Sequence, residues 1–156
     1  MSAGMTISAA SGNSLRDSLY LLDTNVISEM RKGTRANAGV RKFFADCKND
    51  GAGLLLAAVT VGELRCGVER IRQRGDMQQA DTLEHWLQSV LEEFHEQVLD
   101  FDVETAQLWG VLQASGRQHA LDNQIAATAL LYGLTVVTRN ESDFRGTGVK
   151  LLNPWS

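Results

Sequence analysis

The sequence predicts an α/β fold, a three-layer sandwich in which a parallel sheet of four to five strands is flanked by helices. Short apolar runs alternate with longer segments of helical periodicity along the chain. Four of those runs are apolar throughout instead of alternating with polar residues, as in strands covered on both faces. The first of them, Tyr20-Leu21-Leu22, stops abruptly on Asp23. That puts a carboxylate at the carboxyl edge of the sheet, where open α/β folds bind their ligands.

Taken in order, Ser18 to Leu22 reads as a buried strand, and a short helix from Val26 to Met30 follows, closed by basic residues and Gly33. Asp23 is either a ligand at the strand end or a cap for that helix. Asn37 precedes a helical pattern of Val40, Phe43, Phe44 and Cys47 that Asn49-Asp50-Gly51 ends. Leu54 to Val59 is the second strand, and Thr60-Val61-Gly62-Glu63 opens a helix carrying Leu64, Val68 and Ile71. From Met77 to Phe94, three-and-four spacing of apolar residues predicts a long amphipathic helix with an acidic outer face. Val98 to Phe101 is a third strand, and Val103, Ala106, Trp109 and Leu112 mark the next helix. Asp122 begins a helix that is apolar nearly all round through Leu131, hence buried, and Gly133 ends it. Leu134 to Thr138 is the fourth strand, Arg139 to Phe144 a loop, and Val149 to Leu152 a short last strand.

At 156 residues, 44% hydrophobic and 22% charged, the chain suits one domain with a sizeable core, and disordered, collagen-like and coiled-coil classes are excluded. No apolar run approaches the roughly 18 residues of a membrane span. Met1 to Ser14 is rich in Ser, Ala and Gly with no basic residue, which reads as a tail and not a signal peptide. The expected division is a disordered tail over 1–18 and one folded domain over 19–156. Cys47 and Cys66 are too few for a disulfide framework, so the cytoplasm is the expected compartment. His85, His95 and His119 are scattered without zinc-ligand spacing, and each is expected to be an isolated surface or core histidine.

The net charge of −4 argues against non-specific coating of nucleic acid, but the charge is uneven. Arg31 to Lys42 holds Arg31, Lys32, Arg35, Arg41 and Lys42 with no acid, while Asp81 to Glu104 holds eight acids and no Lys or Arg. A basic face for a polyanion is compatible with that asymmetry, as are two solvated helix faces.

Asp23 follows the first strand, Glu63 lies in the first turn of the helix after the second, and Asn140 and Asp143 follow the fourth. All share one edge of a parallel sheet. Asp122 opens the helix leading into the fourth strand, and simple βαβ geometry assigns it to the opposite edge. Each acid also has a local role open to it: Thr60-x-x-Glu63 is a capping box, Asp122 a helix-start charge, Asp143 an Asx-turn residue. Clustered carboxylates repel by roughly 4 kcal/mol for two charges about 4 Å apart at an effective dielectric near 20. Such a pocket takes up protons or a cation, and oxygen donors without Cys or His select Mg²⁺, with Mn²⁺ the alternative. Activated water and a clamp on phosphodiester oxygens are the chemistry of metal-dependent nucleases.

Four motifs, in order, carry a resemblance. Leu22-Asp23-Thr24-Asn25-Val26-Ile27-Ser28-Glu29, Thr60-Val61-Gly62-Glu63-Leu64-Arg65-x-Gly67, Asp122-x-x-Ile125-Ala126-Ala127-Thr128-Ala129 and Thr138-Arg139-Asn140-x-x-Asp143-Phe144 resemble the PIN-domain ribonucleases, and more closely the VapC and FitB toxins of bacterial type II toxin-antitoxin pairs. The resemblance runs from about Tyr20 to Trp155. It implies a PIN-like five-stranded sheet in which the acid of the third motif reaches the metal site. It further implies Asp23 and Asp122 as the Mg²⁺ ligands, with Glu63 completing the acidic site and orienting the attacking water. A fourth acid follows the last core strand in many relatives; here Asn140 stands near that place and Asp143 follows. Asn25 and Thr138 are expected either to hydrogen-bond the carboxylates or to shape turns.

The implied reaction is hydrolysis of an RNA backbone leaving a 5′-phosphate, with single-stranded or looped RNA the physical expectation. Arg31, Lys32, Arg35 and Arg65 are the candidate phosphate contacts. The resemblance also implies a homodimer, and an antitoxin whose C-terminal segment lies in a groove and blocks the acids. The groove expected for it runs between the helix Val26 to Met30 and the helix Thr60 to Arg72. Two other functions compete. A phosphatase of the haloacid-dehalogenase type, with Asp23 as nucleophile, calls for a second acid where this chain has Asn25. A non-catalytic RNA-binding or interaction module with a degenerate site is the other.

Overall fold

The computed structural model describes residues 18–116 and 119–156. The tail expected over 1–18 lies, apart from Ser18, outside the described residues. Five parallel strands, β1 (Leu19–Leu22), β2 (Gly53–Ala57), β3 (Val98–Leu99), β4 (Thr135–Val137) and β5 (Lys150–Leu152), form one sheet in the order β3-β2-β1-β4-β5. Among the described residues six α-helices cover it: α1 (Thr24–Met30), α2 (Ala38–Asp50), α3 (Ala58–Gln73), α4 (Met77–Glu93), α5 (Val103–Ala114) and α6 (Ala120–Tyr132).

Alternation along the strands divides the interior into two cores. Leu21, Leu55 and Val136 face one side and pack with Ile125, Ala126 and Ala129 of α6. Their neighbours Leu22, Leu56 and Val137 face the other side, against Val26 and Ile27 of α1, Leu64 and Val68 of α3, and Leu87 and Val90 of α4. Because both faces are covered, strands without polar alternation are the stable choice.

The chain leaves β1 for β2 on one side and returns as β4 on the other, so the order reverses between β1 and β4. A sheet opens a crevice at such a switch point. Here that point falls at Asp23 and Thr138, the residues that follow the two strands, and the Asp23 amide continues the ladder by donating to the Val137 carbonyl at 2.9 Å.

Three sequence expectations need correction. The second strand ends at Ala57, not Val59: the β-branched run Val59-Thr60-Val61 joins α3, because Leu56 and Ala57 already pair with the last strand residues of β3. Thr60 is therefore inside the helix, with its buried hydroxyl lacking a hydrogen-bond partner among the described residues, and no capping box forms. The third strand is only Val98–Leu99, and Asp102 instead caps α5 by accepting from the Thr105 amide at 3.0 Å. Asp122 belongs to the carboxyl edge, not the opposite one. A helix feeding a parallel strand runs antiparallel to it; the 13 residues of α6 rise about 20 Å while three-residue β4 spans about 10 Å, so the first turn of α6 overshoots the strand end.

The C-terminus is tied back over α2. Asn37 caps that helix through its Oδ1, 2.9 Å from the Gly39 amide, and also accepts from the Ser156 amide at 3.2 Å. A Cβ at Gly39 would press on the Pro154 carbonyl and reach 2.9 Å from the Ser156 nitrogen. Gly39→Ala is expected to destabilise the domain by about 1–3 kcal/mol, read as a lower Tm in thermal denaturation; an unchanged melting curve would contradict the tie.

Candidate functional site

Asp23 anchors the site. It is only 6% exposed, and three donors fix its carboxylate. Oδ1 accepts from the Thr24 amide at 2.8 Å, and Oδ2 accepts from Thr138 Oγ1 at 2.7 Å and Asn25 Nδ2 at 3.2 Å. Asp23 is at once the N-cap of α1 and the centre of a wider network. Asn25 Oδ1 accepts from the Arg139 amide at 3.3 Å and Thr138 Oγ1 from the Asn140 amide at 3.0 Å, which pins the β4 loop to the β1 loop. Burial raises the Asp23 pKa; the hydrogen bonds from Thr138 and Thr24 oppose it, and the charge of Asp143 adds to it.

Glu63 comes from the second turn of α3. Its Oε1 accepts from Thr24 Oγ1 at 2.8 Å, a bond spanning 39 residues of sequence. Burial raises its pKa, the Thr24 bond lowers it, and the charge of Asp23 raises it again. Asp122, half-buried in the first turn of α6, is pushed up to about 6 by burial and then by the charges of Asp23, Asp143 and Glu63. Thus four carboxylates from four separate stretches of chain act on one another. Of the two residues after β4, Asp143 brings its side chain to this cluster, whereas Asn140 contributes its backbone amide to Thr138.

His119 stands at the rim. Its Nδ1 lies 3.8 Å from Asp122 Oδ2 and its Nε2 lies 3.9 Å from Asp143 Oδ1, and one donor atom from each of the three residues falls within 4.8 Å of the others. The sequence treats it as one of three scattered histidines; its spacing of three from Asp122, one helical turn, is the signal that pairs them. Thr24, the residue that positions Glu63, is likewise given no role by sequence reasoning.

The basic candidates part company. Arg31 sits over the Trp86 ring at 5.9 Å, and Lys32 donates to Glu29 at 2.9 Å. Arg35 lies exposed in the short 3-10 turn Gly33–Arg35. Arg65 does not join the site. Two residues on from Glu63, it occupies nearly the opposite helix face, where it forks onto both oxygens of Glu84 at 2.6 and 2.8 Å and reaches Glu69 at 3.0 Å. That pairing clasps α3 to α4.

A cleft of about 160 Å³ opens between α1, α3 and α4, with Thr24 and Glu63 near the acids and Leu64, Val68, Leu83 and Trp86 among its apolar walls. This is the groove expected between the first and third helices, extended by α4.

The PIN domain family model matches residues 20–150. Among curated proteins, the chain is 34% identical to the toxin FitB of Neisseria gonorrhoeae over 88% of its own length and 99% of that protein's. It is 33% identical to the VapC ribonuclease Y4jK of Sinorhizobium fredii, over 88% of this chain and 98% of that one. In three dimensions it superposes on the crystal structure of FitAcB from Neisseria gonorrhoeae with a TM-score of 0.73 and 33% identity, covering 87% of this chain and 98% of that chain.

Since Asp122 is harder to ionise folded than unfolded, the folded state holds more protons between about pH 4 and pH 6, and metal-free stability falls as pH rises through that window. Asp122→Asn is expected to exceed the wild type in stability above pH 6 in EDTA, with the gap closing near pH 4. For a half-buried group screened by solvent the gain is about 1–2 kcal/mol. A variant no more stable than wild type at pH 7.5 would contradict the cost assigned to an ionised Asp122 among these acids.

Proposed function

Because the chain belongs to the PIN-domain family of VapC- and FitB-like toxins, we propose that it is a Mg²⁺- or Mn²⁺-dependent endoribonuclease, the toxin of a type II toxin-antitoxin pair. The observation that carries this reading is the convergence of Asp23, Glu63, Asp122 and Asp143 at the switch point of the sheet, with the charges of the other three raising the pKa of Asp122.

The residues fit a divalent ion. Their donors are chiefly carboxylate oxygens, and a buried Asp23 beside further acids is a place where positive charge relieves both desolvation and repulsion. Asp23 and Asp122 would hold it, with Asp143 beside them. When bound, such an ion supplies a nucleophile from water near neutral pH and neutralises charge on the phosphodiester oxygens. Glu63, fixed by Thr24, orients the attacking water and takes its proton. Thr138 and Asn25 keep the Asp23 carboxylate in one orientation, as outer hydrogen bonds do in metal sites generally.

RNA is the substrate, in keeping with the Sinorhizobium relative, a VapC ribonuclease. Arg31, Lys32 and Arg35, on the segment leaving α1, supply positive charge for phosphates that the acids repel. The cleft between α1, α3 and α4 takes a segment of a cognate antitoxin, whose cation would then face Glu63. Related FitAB is described bound to a DNA fragment, and this toxin enters a similar DNA-bound complex through its antitoxin. A homodimer accounts for the apolar side chains that α5 leaves exposed, Val103 at 76% and Val111 at 68%. The free thiols of Cys47 and Cys66 suit the reducing cytoplasm. Among the described residues no helix is long and apolar enough to cross a membrane.

Labelled single-stranded RNA tests the activity. Wild type is expected to cut with Mg²⁺ or Mn²⁺ and not with EDTA; Asp23→Asn should lose more than about a hundredfold, and Thr138→Val about ten- to a hundredfold. Binding without cutting under every metal condition would favour the non-catalytic module, and equal cutting by wild type and Asp23→Asn would reject the site. Charge reversal at Arg31 and Lys32 together should weaken RNA binding and flatten its salt dependence, by about one unit of slope for each phosphate no longer neutralised. An unchanged slope would remove them from the RNA path.

A further inference from the structure

We propose that His119 is itself a ligand of the ion, so that this site prefers Mn²⁺ or a later transition ion over Mg²⁺. Ligation by His119 rests on the divalent site proposed above and reaches it through Asp122, the acid which that site shares with the grouping of His119, Asp122 and Asp143; it adds a nitrogen donor that the carboxylate set lacks.

His119 is the residue from which α6 starts, and it carries no capping hydrogen bond from its side chain. One turn before Asp122, its ring lies near the carboxylates of both Asp122 and Asp143, on elements that precede and follow β4 in the chain. At 3.8 and 3.9 Å both separations are too long for hydrogen bonds. The two separations are made by different ring nitrogens, and the ring ligates an ion through one of them; at metal-ligand distances near 2.1 Å, two donors on one octahedral ion stand about 3.0 Å apart when adjacent and about 4.2 Å when opposite. The grouping of one donor atom from each residue within 4.8 Å therefore needs little more than side-chain adjustment to close on an ion. The His119 side chain is 54% exposed, so its ring has room to turn.

Carboxylate sites accept Mg²⁺, Ca²⁺ and Mn²⁺, whereas imidazole favours Mn²⁺ and the ions after it over Mg²⁺. One histidine at the rim therefore shifts the selectivity of an otherwise all-oxygen site.

The test is pulsed EPR on the full chain loaded with Mn²⁺, read for coupling to ¹⁴N, with calorimetric titration of Mn²⁺ and Mg²⁺ into wild type and His119→Gln. Nitrogen coupling is expected in wild type and absent in the variant. Mn²⁺ affinity is expected to fall about ten- to a hundredfold in the variant, with Mg²⁺ affinity changed less than about twofold. Mn²⁺ bound to wild type without nitrogen coupling, or coupling that persists in His119→Gln, would overturn the assignment while leaving the carboxylate site standing. Absence of any Mn²⁺ binding would take down both.

Discussion

The fold must hold several carboxylates close together against their mutual repulsion. Burial and the charges of its neighbours raise the pKa of Asp23, Glu63 and Asp122, so each of these acids opposes folding in its ionised form. Such an arrangement persists only if surrounding structure imposes it. Here the hydrogen bonds from Thr24, Asn25 and Thr138 clamp Asp23, and Thr24 reaches across to clamp Glu63. The same short segment, residues 23–25, thereby orients two acids and joins the ends of β1 and β4.

The remainder of the architecture brings the other acids to that clamp. The order reversal between β1 and β4 puts Asp23 and the loop after β4 side by side, and the excess length of α6 over β4 carries Asp122 past the strand ends. Burial of Ile125, Ala126, Ala127 and Ala129 on the sheet fixes that helix along its length. On the other face, the pairing of Arg65 with Glu84 braces α3, and with it Glu63, against α4. Core packing and surface charge thus serve the position of two different acids.

Most of the fold was legible because the strands are buried on both faces, which leaves apolar runs such as Leu54 to Ala57 and Thr135 to Val137 that polar surface segments do not imitate. Boundaries failed where local preference and tertiary pairing disagree: Val59, Thr60 and Val61 favour strand by their branching, but no pairing remains for them beyond Ala57. Asp23, Glu63 and Asp143 could be assigned to one edge from strand order alone. Asp122 was assigned to the opposite edge although the helix feeding a parallel strand runs antiparallel to it and so starts at the carboxyl edge; what the residues do not show is how far the first turn of α6 projects past the end of β4. Arg65 was misjudged by nearness in sequence to Glu63 where helical phase sends it the other way. His119 went unmarked because its partners include Asp143, which lies beyond an entire helix and strand.

The central claim is that these acids form one divalent-ion site. The most direct measurement is anomalous diffraction from a crystal of the protein grown or soaked with Mn²⁺. The account predicts an anomalous peak in direct coordination contact with the carboxylates of Asp23 and Asp122, at the carboxyl ends of β1 and β4. A well-ordered crystal with saturating Mn²⁺ and no peak there, or with Asp122 turned away from Asp23, would contradict it.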